Sequence, residues 1–418
     1  MKTRFSLLFS CIAWVACAPA RTLPEDETAP VRIGMIAPLA GDLGAVGPGW
    51  RDAVRLAVRE VNAAGGVLPG RSVELLIENG ESDPNVGVAA ATRLVEAGVV
   101  GIIGDSSSSA TKRVYQEVTL PAQVLLASGV STSIALTDIN RDLAEDWFFF
   151  RTVPSDARQA PVLAGAMYEH GCRRVAILYV DDGDYGGPFR DGMRTRFDQY
   201  GDVSVPIEQP YRTPSTNYTA EVTAVAAATP DCIAFIAYPQ SAGLIIRNWY
   251  ALSSPPAVQW FGTDGLRTGL LGEVGNANLI DGFLGTAPFT SVPSPPYNRF
   301  ASNYRSTFGT DPIAFASSLY DATALMLLAI AKAGTTTDRS AIRDAVLTLN
   351  DPGGTIVNAG ELAEGLRLVR SGRPINYEGA SGPVFVDGDG NVDGPYELWR
   401  FDATGADTGT VTQVRVLE

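Results

Sequence analysis

An α/β architecture of two doubly wound parallel-sheet lobes, joined by a three-segment hinge, is what this sequence predicts. Three observations lead there. From residue 31 onward, apolar strand segments alternate with segments of helical periodicity. Strands apolar on both faces need helices on both faces, as in parallel sheets. The alternation pauses around Trp147 to Pro154 and then restarts as a second unit of the same kind. Finally, 418 residues exceed one ordinary core and suit two.

The elements follow in order. Val31-Arg32-Ile33-Gly34-Met35-Ile36 reads as a strand. Val46, Trp50, Val54, Ala57, Val58 and Val61 then recur at helical spacing until Gly65-Gly66 ends the helix. A strand over 73–77, a helix over 86–97, a strand over 99–103, a helix over 109–120 and a strand over 123–127 complete the first unit. The second unit reads strand 174–180, helix 189–199, helix 219–228, strand 232–237, helix 244–252 and strand 258–261. Residues 297–350 are helical in pattern. The run 314–333 is apolar nearly all round, but Ser317, Ser318, Asp321 and Lys332 mark a buried core helix, not a membrane span. Pro293, Pro295 and Pro296 mark a connector, 379–416 reads as short strands and hairpins, and 355–376 is an insertion without an assigned structure.

Composition narrows the function. Hydrophobic residues at 45% and charged residues at 19% belong to a packed globular protein. A formal net charge of −14 argues against nucleic acid as a partner, because phosphate binding needs a basic face. The one histidine, His170, sits at a predicted helix end, so hydrolytic triads and multi-histidine metal sites have little to draw on. No nucleophile motif, cofactor fingerprint or phosphate loop is present.

The N-terminus reads as an export signal over 1–17, with basic Lys2 and Arg4 before a short apolar run. Val15-Ala16-Cys17 resembles a lipobox, in which Cys17 becomes lipidated, with 18–30 as a polar tether; Ala18-Pro19-Ala20 offers an ordinary cleavage site instead. Beyond Cys11 and Cys17 only Cys172 and Cys232 remain, each just before a predicted strand. They form a disulfide if those strands are neighbours, or stay two buried thiols.

Ligands of open parallel sheets bind beyond the carboxyl ends of the strands. Gly104-Asp105-Ser106-Ser107-Ser108-Ser109 follows one strand and enters a helix, where free N–H groups and hydroxyls suit a carboxylate. Ser131 and Thr132 add donors after the next strand. In the second unit Asp264, Tyr185 and Tyr238 follow strands and supply one carboxylate and two aromatic walls. Donors in one lobe and a carboxylate in the other match a zwitterion. The segment Asp387-Gly388-Asp389-Gly390-Asn391-Val392-Asp393 alternates oxygen ligands as a calcium loop does, but Val392 stands where glycine is needed and a turn explains the same residues.

These residues resemble the type I periplasmic solute-binding proteins of ABC importers, in the leucine/isoleucine/valine-binding branch. The resemblance runs from about Val31 to about Asp402. It is carried by Pro38-Leu39-Ala40-Gly41, Val61-Asn62-Ala63-Ala64-Gly65-Gly66-Val67, the serine run, Asp184-Tyr185-Gly186, Phe261-Gly262-Thr263-Asp264-Gly265 and Gly382-Pro383-Val384-Phe385. It implies a non-enzymatic, monomeric protein without cofactor or metal, at the periplasm or outer membrane face. Such a protein closes on an amino-acid-like ligand, branched-chain amino acids first, and docks on an ABC permease. A ligand-sensing receptor subunit, or a binder of amides or small carboxylates, is the alternative. By the same resemblance Ser108 meets the ligand carboxylate with Thr132, and the Val130 carbonyl and Asp264 meet the ammonium; Ser107, its neighbour in the serine run, is a further ligand-binding candidate. Tyr185, Tyr238 and Tyr320 line the cleft, and Val46 stands where relatives carry an aromatic. The disulfide some relatives carry in lobe 1 is missing, since Ser82 and Ser107 occupy its positions. Crossings near Arg151, Gly285 and Gly394 divide the chain into lobe 1 (31–150 and 286–393) and lobe 2 (151–285 and 394–418).

Overall fold

The computed structural model describes residues 28–291 and 293–417. The predicted export signal, Cys17 and nearly all of the tether lie outside the described residues. The first sheet holds β1 (Val31–Ala37), β2 (Val73–Asn79), β3 (Gly101–Ile103), β4 (Leu125–Ser128) and β5 (Phe149–Arg151), all parallel, in the order β2-β1-β3-β4-β5. The chain then crosses to a second sheet with β6 (Arg174–Val180), β7 (Ser204–Tyr211), β8 (Cys232–Ile236), β9 (Gln259–Gly262) and β10 (Leu284–Pro288). It returns to the first lobe through helices 295–308, 316–333 and 339–346. There the insertion builds a small third sheet of β11 (Thr355–Asn358), β12 (Ile375–Gly379) and β13 (Gly382–Pro383). The last strands, β14 (Tyr396–Ala403) and β15 (Gly409–Leu417), go back to the second sheet, which runs β15-β14-β10-β9-β8-β6-β7.

Two boundaries differ from expectation. β10 pairs parallel with β9 and antiparallel with β14 as far as Pro288↔Tyr396, so residues 286–288 belong to the second lobe, not the first. The late strand β14 is what extends β10. Arg151 pairs with Ser128 and stays in the first lobe. β7 was not foreseen. Pro206 and Pro210 interrupt its pattern, which an edge strand tolerates, and β7 is an edge. The expected helix over 109–120 is a helix at Ser108–Val114 that widens into a π turn at Tyr115–Thr119. Between β11 and β12 the insertion carries a helix, Leu362–Arg370.

Helix Ala316–Ala333 is buried along nearly its whole length. Its one carboxylate, Asp321, accepts from Tyr377 Oη (2.8 Å), the Ala380 and Ser381 N–H groups (2.9 and 2.7 Å) and Ser381 Oγ (2.6 Å). Among the described residues no helix is long and apolar enough to cross a membrane. Cys172 and Cys232 form a disulfide, because they enter the neighbouring strands β6 and β8 with Cα atoms 5.7 Å apart. His170 ends helix Asp156–His170, and left-handed Gly171 stops it. The calcium-like segment is a turn: Asp387 Oδ1 accepts the N–H groups of Asp389 and Asn391, Asp389 pairs with Arg141, and Asn391 Oδ1 accepts from Arg151. A guanidinium already holds the oxygen a cation would need.

Candidate ligand-binding cleft

The carboxyl ends of both sheets face one interlobe cleft. On the first lobe, β3 is followed by Ser106–Ser109, all buried. Ser107 Oγ caps the next helix by accepting from Ala110 N–H (3.4 Å). After β4 the chain turns at Gly129, where a Cβ would stand 2.5 Å from the Leu319 backbone nitrogen, so no larger residue fits. Ser128 Oγ accepts from the Val130 and Ser131 N–H groups, and Ser108 Oγ accepts from Ser133 N–H (3.3 Å). Among the described residues the Thr132 N–H has no acceptor, although Thr132 is buried. A buried amide without an acceptor is rare in folded proteins and marks a place for a ligand oxygen.

The second lobe presents carboxylates. Asp264 follows β9, and its Oδ1 accepts from Gln159 Nε2 (3.1 Å) and lies 2.9 Å from Tyr185 Oη. Asp156 opens helix Asp156–His170, yet both of its oxygens are buried and accept no hydrogen bond. Gln159 Oε1, one turn on, is buried and unpartnered too. Burial pushes the Asp264 carboxyl up to about 6. Burial, then the charge of Asp264, pushes Asp156 well above the usual carboxylate range. Tyr238 stacks on Tyr185 with ring centres 5.3 Å apart, and its hydroxyl donates to Asp182 Oδ2 (3.3 Å). Both phenols are raised by burial and by these carboxylates.

Between the two sets lies a cavity lined by Leu43, Val46, Trp50, Ser106, Val130 and Phe315 of the first lobe and Tyr238, Asp264, Gly265 and Thr268 of the second. The Trp50 indole donates to Ala314 O (2.8 Å) and meets the edge of Phe315 at 6.2 Å. Phe315 adopts a left-handed backbone (φ 65°), which a bulky residue rarely does outside functional sites. The lobes touch across the cleft through Lys112 Nζ–Asp184 Oδ1 (2.6 Å) and Ser133 Oγ donating to Asp184 O.

The description of one family model, periplasmic binding protein, fits this arrangement, and that model matches residues 30–406. The chain belongs to the type I periplasmic binding proteins. It falls in their Leu/Ile/Val-binding branch. A chemotactic signal transduction system substrate-binding protein of Halobacterium salinarum is 28% identical over 85% of this chain and 83% of its own. A Leu/Ile/Val-binding protein of Rhizobium johnstonii is 27% identical over 83% of this chain and 89% of its own. The solved leucine-binding protein of Thermotoga maritima shares the fold with a TM-score of 0.76 at 21% identity, covering 93% of this chain and 99% of that one. A solute-binding protein from R. palustris, solved with benzoate, does so with a TM-score of 0.73 at 16% identity, covering 93% and 96%.

Against this periplasmic binding protein, the residues expected from sequence divide. Val130, Tyr238 and Asp264 line the cavity, and Tyr185 backs Asp264. Ser108 and Thr132 are buried in the two lobe-1 loops, while Ser107 turns to a neighbouring opening lined by Asp42, Glu81, Asp83, Asp181 and Asp182. Tyr320 is not in the cleft. It is wholly buried, packs on Phe300 at 5.1 Å, and bonds to Glu60 and to the Gly360 N–H. It sits past the first turn of helix Ala316–Ala333, facing inward, whereas Phe315, just before that helix, reaches the cavity. Asp156, Gln159, Trp50 and Phe315 were not foreseen as site residues. For Asp156 the only signal is its place after the Ser155 cap, which reads as ordinary helix chemistry.

Proposed function

We propose that this periplasmic binding protein captures a small α-amino acid with an apolar side chain, branched-chain amino acids first, and performs no reaction on it. It acts outside the cytoplasm as a monomer without cofactor, held by lipid on Cys17, and hands its ligand, lobes closed, to a membrane ABC permease. The observation that carries this reading is the pairing across one cavity. Ser106 of one lobe lines it, with the buried Thr132 N–H in the adjoining loop, and Asp264 of the other lobe lines it, with Asp156 buried behind. The first set suits a carboxylate, the second an ammonium, and Leu43, Val46, Trp50 and Phe315 suit an apolar side chain.

A thermal-shift screen of the chain from residue 30 tests it. A ligand at about a hundred times its Kd adds about 2.7 kcal/mol and raises Tm. Leucine, isoleucine or valine is expected to stabilise the wild type, and Asp264→Asn to abolish the shift. Stabilisation by benzoates alone, unaffected by Asp264→Asn, overturns the amino-acid assignment. A second reading, a sensor that reports the same ligand to a receptor, is favoured by the likeness to the chemotactic relative. Stimulation of a reconstituted permease's ATPase by the loaded protein separates transport from sensing.

A further inference from the structure

Arg151 is the last residue of β5 and is wholly buried. Its Nη1 donates to the carbonyls of Ser131 (3.3 Å) and Ser133 (2.9 Å). Its Nε (2.9 Å) and Nη2 (2.7 Å) donate to Asn391 Oδ1, and Nη2 also to Thr137 Oγ1 (2.7 Å). No carboxylate accepts a hydrogen bond from it among the described residues; Asp156 is the acidic group whose charge acts on it most. A buried guanidinium bonded only to neutral oxygens is costly unless a negative charge compensates it nearby.

In a trans peptide the carbonyl of one residue and the N–H of the next point in opposite directions. Fixing the Ser131 carbonyl on Arg151 therefore turns the Thr132 N–H away from the guanidinium. Among the described residues that N–H has no acceptor. The Thr132 carbonyl is fixed in turn by the Asp156 N–H (2.9 Å), which turns the Ser133 N–H to Ser108 Oγ. Arg151 holds the loop from behind, and its charge lies on the far side of the peptide whose N–H is free.

We propose that Arg151 is a positioning residue for the ligand's carboxylate: it orients the 131–133 loop so that the Thr132 N–H is presented, and it supplies the buried positive charge behind that donor. The proposal rests on the carboxylate half of the reading above and not on the amine half. Burial lowers the guanidinium to about 10, which leaves it charged at neutral pH. The competing role is a staple only, since Arg151 N–H also donates to Gly390 O (2.9 Å) and so ties β5 to the third crossing.

The test compares acid with amide. Dissociation constants of wild type, Arg151→Met and Arg151→Lys are measured by calorimetry for L-leucine against L-leucinamide and for benzoate against benzamide. The wild type is expected to prefer the acid. In Arg151→Met the acid should weaken by about ten-fold or more with the amide little changed, and Arg151→Lys should regain part of the preference. Equal weakening of acid and amide overturns the proposal and leaves the staple. If only the benzoate pair binds, the amino-acid reading has failed and Arg151 is still judged on that pair. If neither pair binds, hydrogen exchange on the ligand-free proteins decides: Arg151→Met must speed exchange in segment 130–134 and leave 232–236 unchanged. No change in 130–134, or acceleration in both segments, overturns it. Should Arg151→Met fail to fold, Arg151→Lys must lower the acid-to-amide preference, and an unchanged preference overturns it.

Discussion

Asp264 and Asp156 are two carboxyl groups in one buried space, held in different ways. Asp264 receives hydrogen bonds from Gln159 and Tyr185, which favour its ionised form, while for Asp156 only the Thr132 side chain acts that way. Burial raises both carboxyls, and the charge of Asp264 raises Asp156 further, so the two titrate together. An ammonium favours ionised carboxylates, so amine-bearing ligands should bind more tightly as pH rises from about 5 to 7, through the raised Asp264 value of about 6. Calorimetry in buffers of different ionisation heat should show protons released on binding near pH 6, and fewer released at pH 7.5, where Asp264 is already ionised. The two residues also differ in legibility. Asp264 was readable because it follows an apolar strand in a repeated α/β pattern. Asp156 was not, because an acid after a serine cap is what any helix start offers. Tyr320 was misplaced because it stands five residues beyond Phe315, well over one helical turn, which swings its side chain from the cavity to the core face. Phe315 had no sequence signal, since a left-handed phenylalanine looks like any other.

Strands that are apolar on both faces could be read directly, and β1, β6 and β8 lie within a residue or two of expectation. β7 was hidden by its prolines and exposed alternation, and β10 by its dependence on β14, more than a hundred residues on. The disulfide belongs to this scale. It joins the entry ends of β6 and β8 across a separation of 60 residues, at the end of the sheet away from the cleft. Replacing both cysteines by serine should cost about 2–4 kcal/mol, seen as a lower urea midpoint. Ligand affinity should be unchanged, because the cleft residues of lobe 2 follow the other ends of the strands. A loss of affinity equal to the loss of stability would instead place the disulfide in the closing movement.

Across the whole molecule, several carboxyl groups are folded into low-dielectric surroundings. Burial raises Asp105 to about 7, and Asp264 and Asp321 to about 6 each. Each binds a proton more readily folded than unfolded, so the folded state holds more protons between about 4 and 7. Stability of the ligand-free protein should therefore fall as pH rises through that window. A melting temperature lower by a few degrees at pH 7.5 than at pH 5 is expected in scanning calorimetry. A saturating amine-bearing ligand should shrink the difference, because it stabilises the ionised form of Asp264. A ligand-free melting temperature that climbs steadily from pH 5 to 7.5 would contradict the burial of these groups.

The alternation between lobes has a consequence for how the chain is made. The second sheet receives β10 after residue 280 and cannot cover that strand's other edge until β14, Tyr396–Ala403, has emerged. The first lobe likewise waits for helix Ala316–Ala333, the centre of its core. A polypeptide leaving the ribosome thus carries no completed lobe until the segment after β13 has emerged. Late completion of this kind leaves apolar surface of both lobes uncovered through most of synthesis, where it is open to aggregation until β14 pairs.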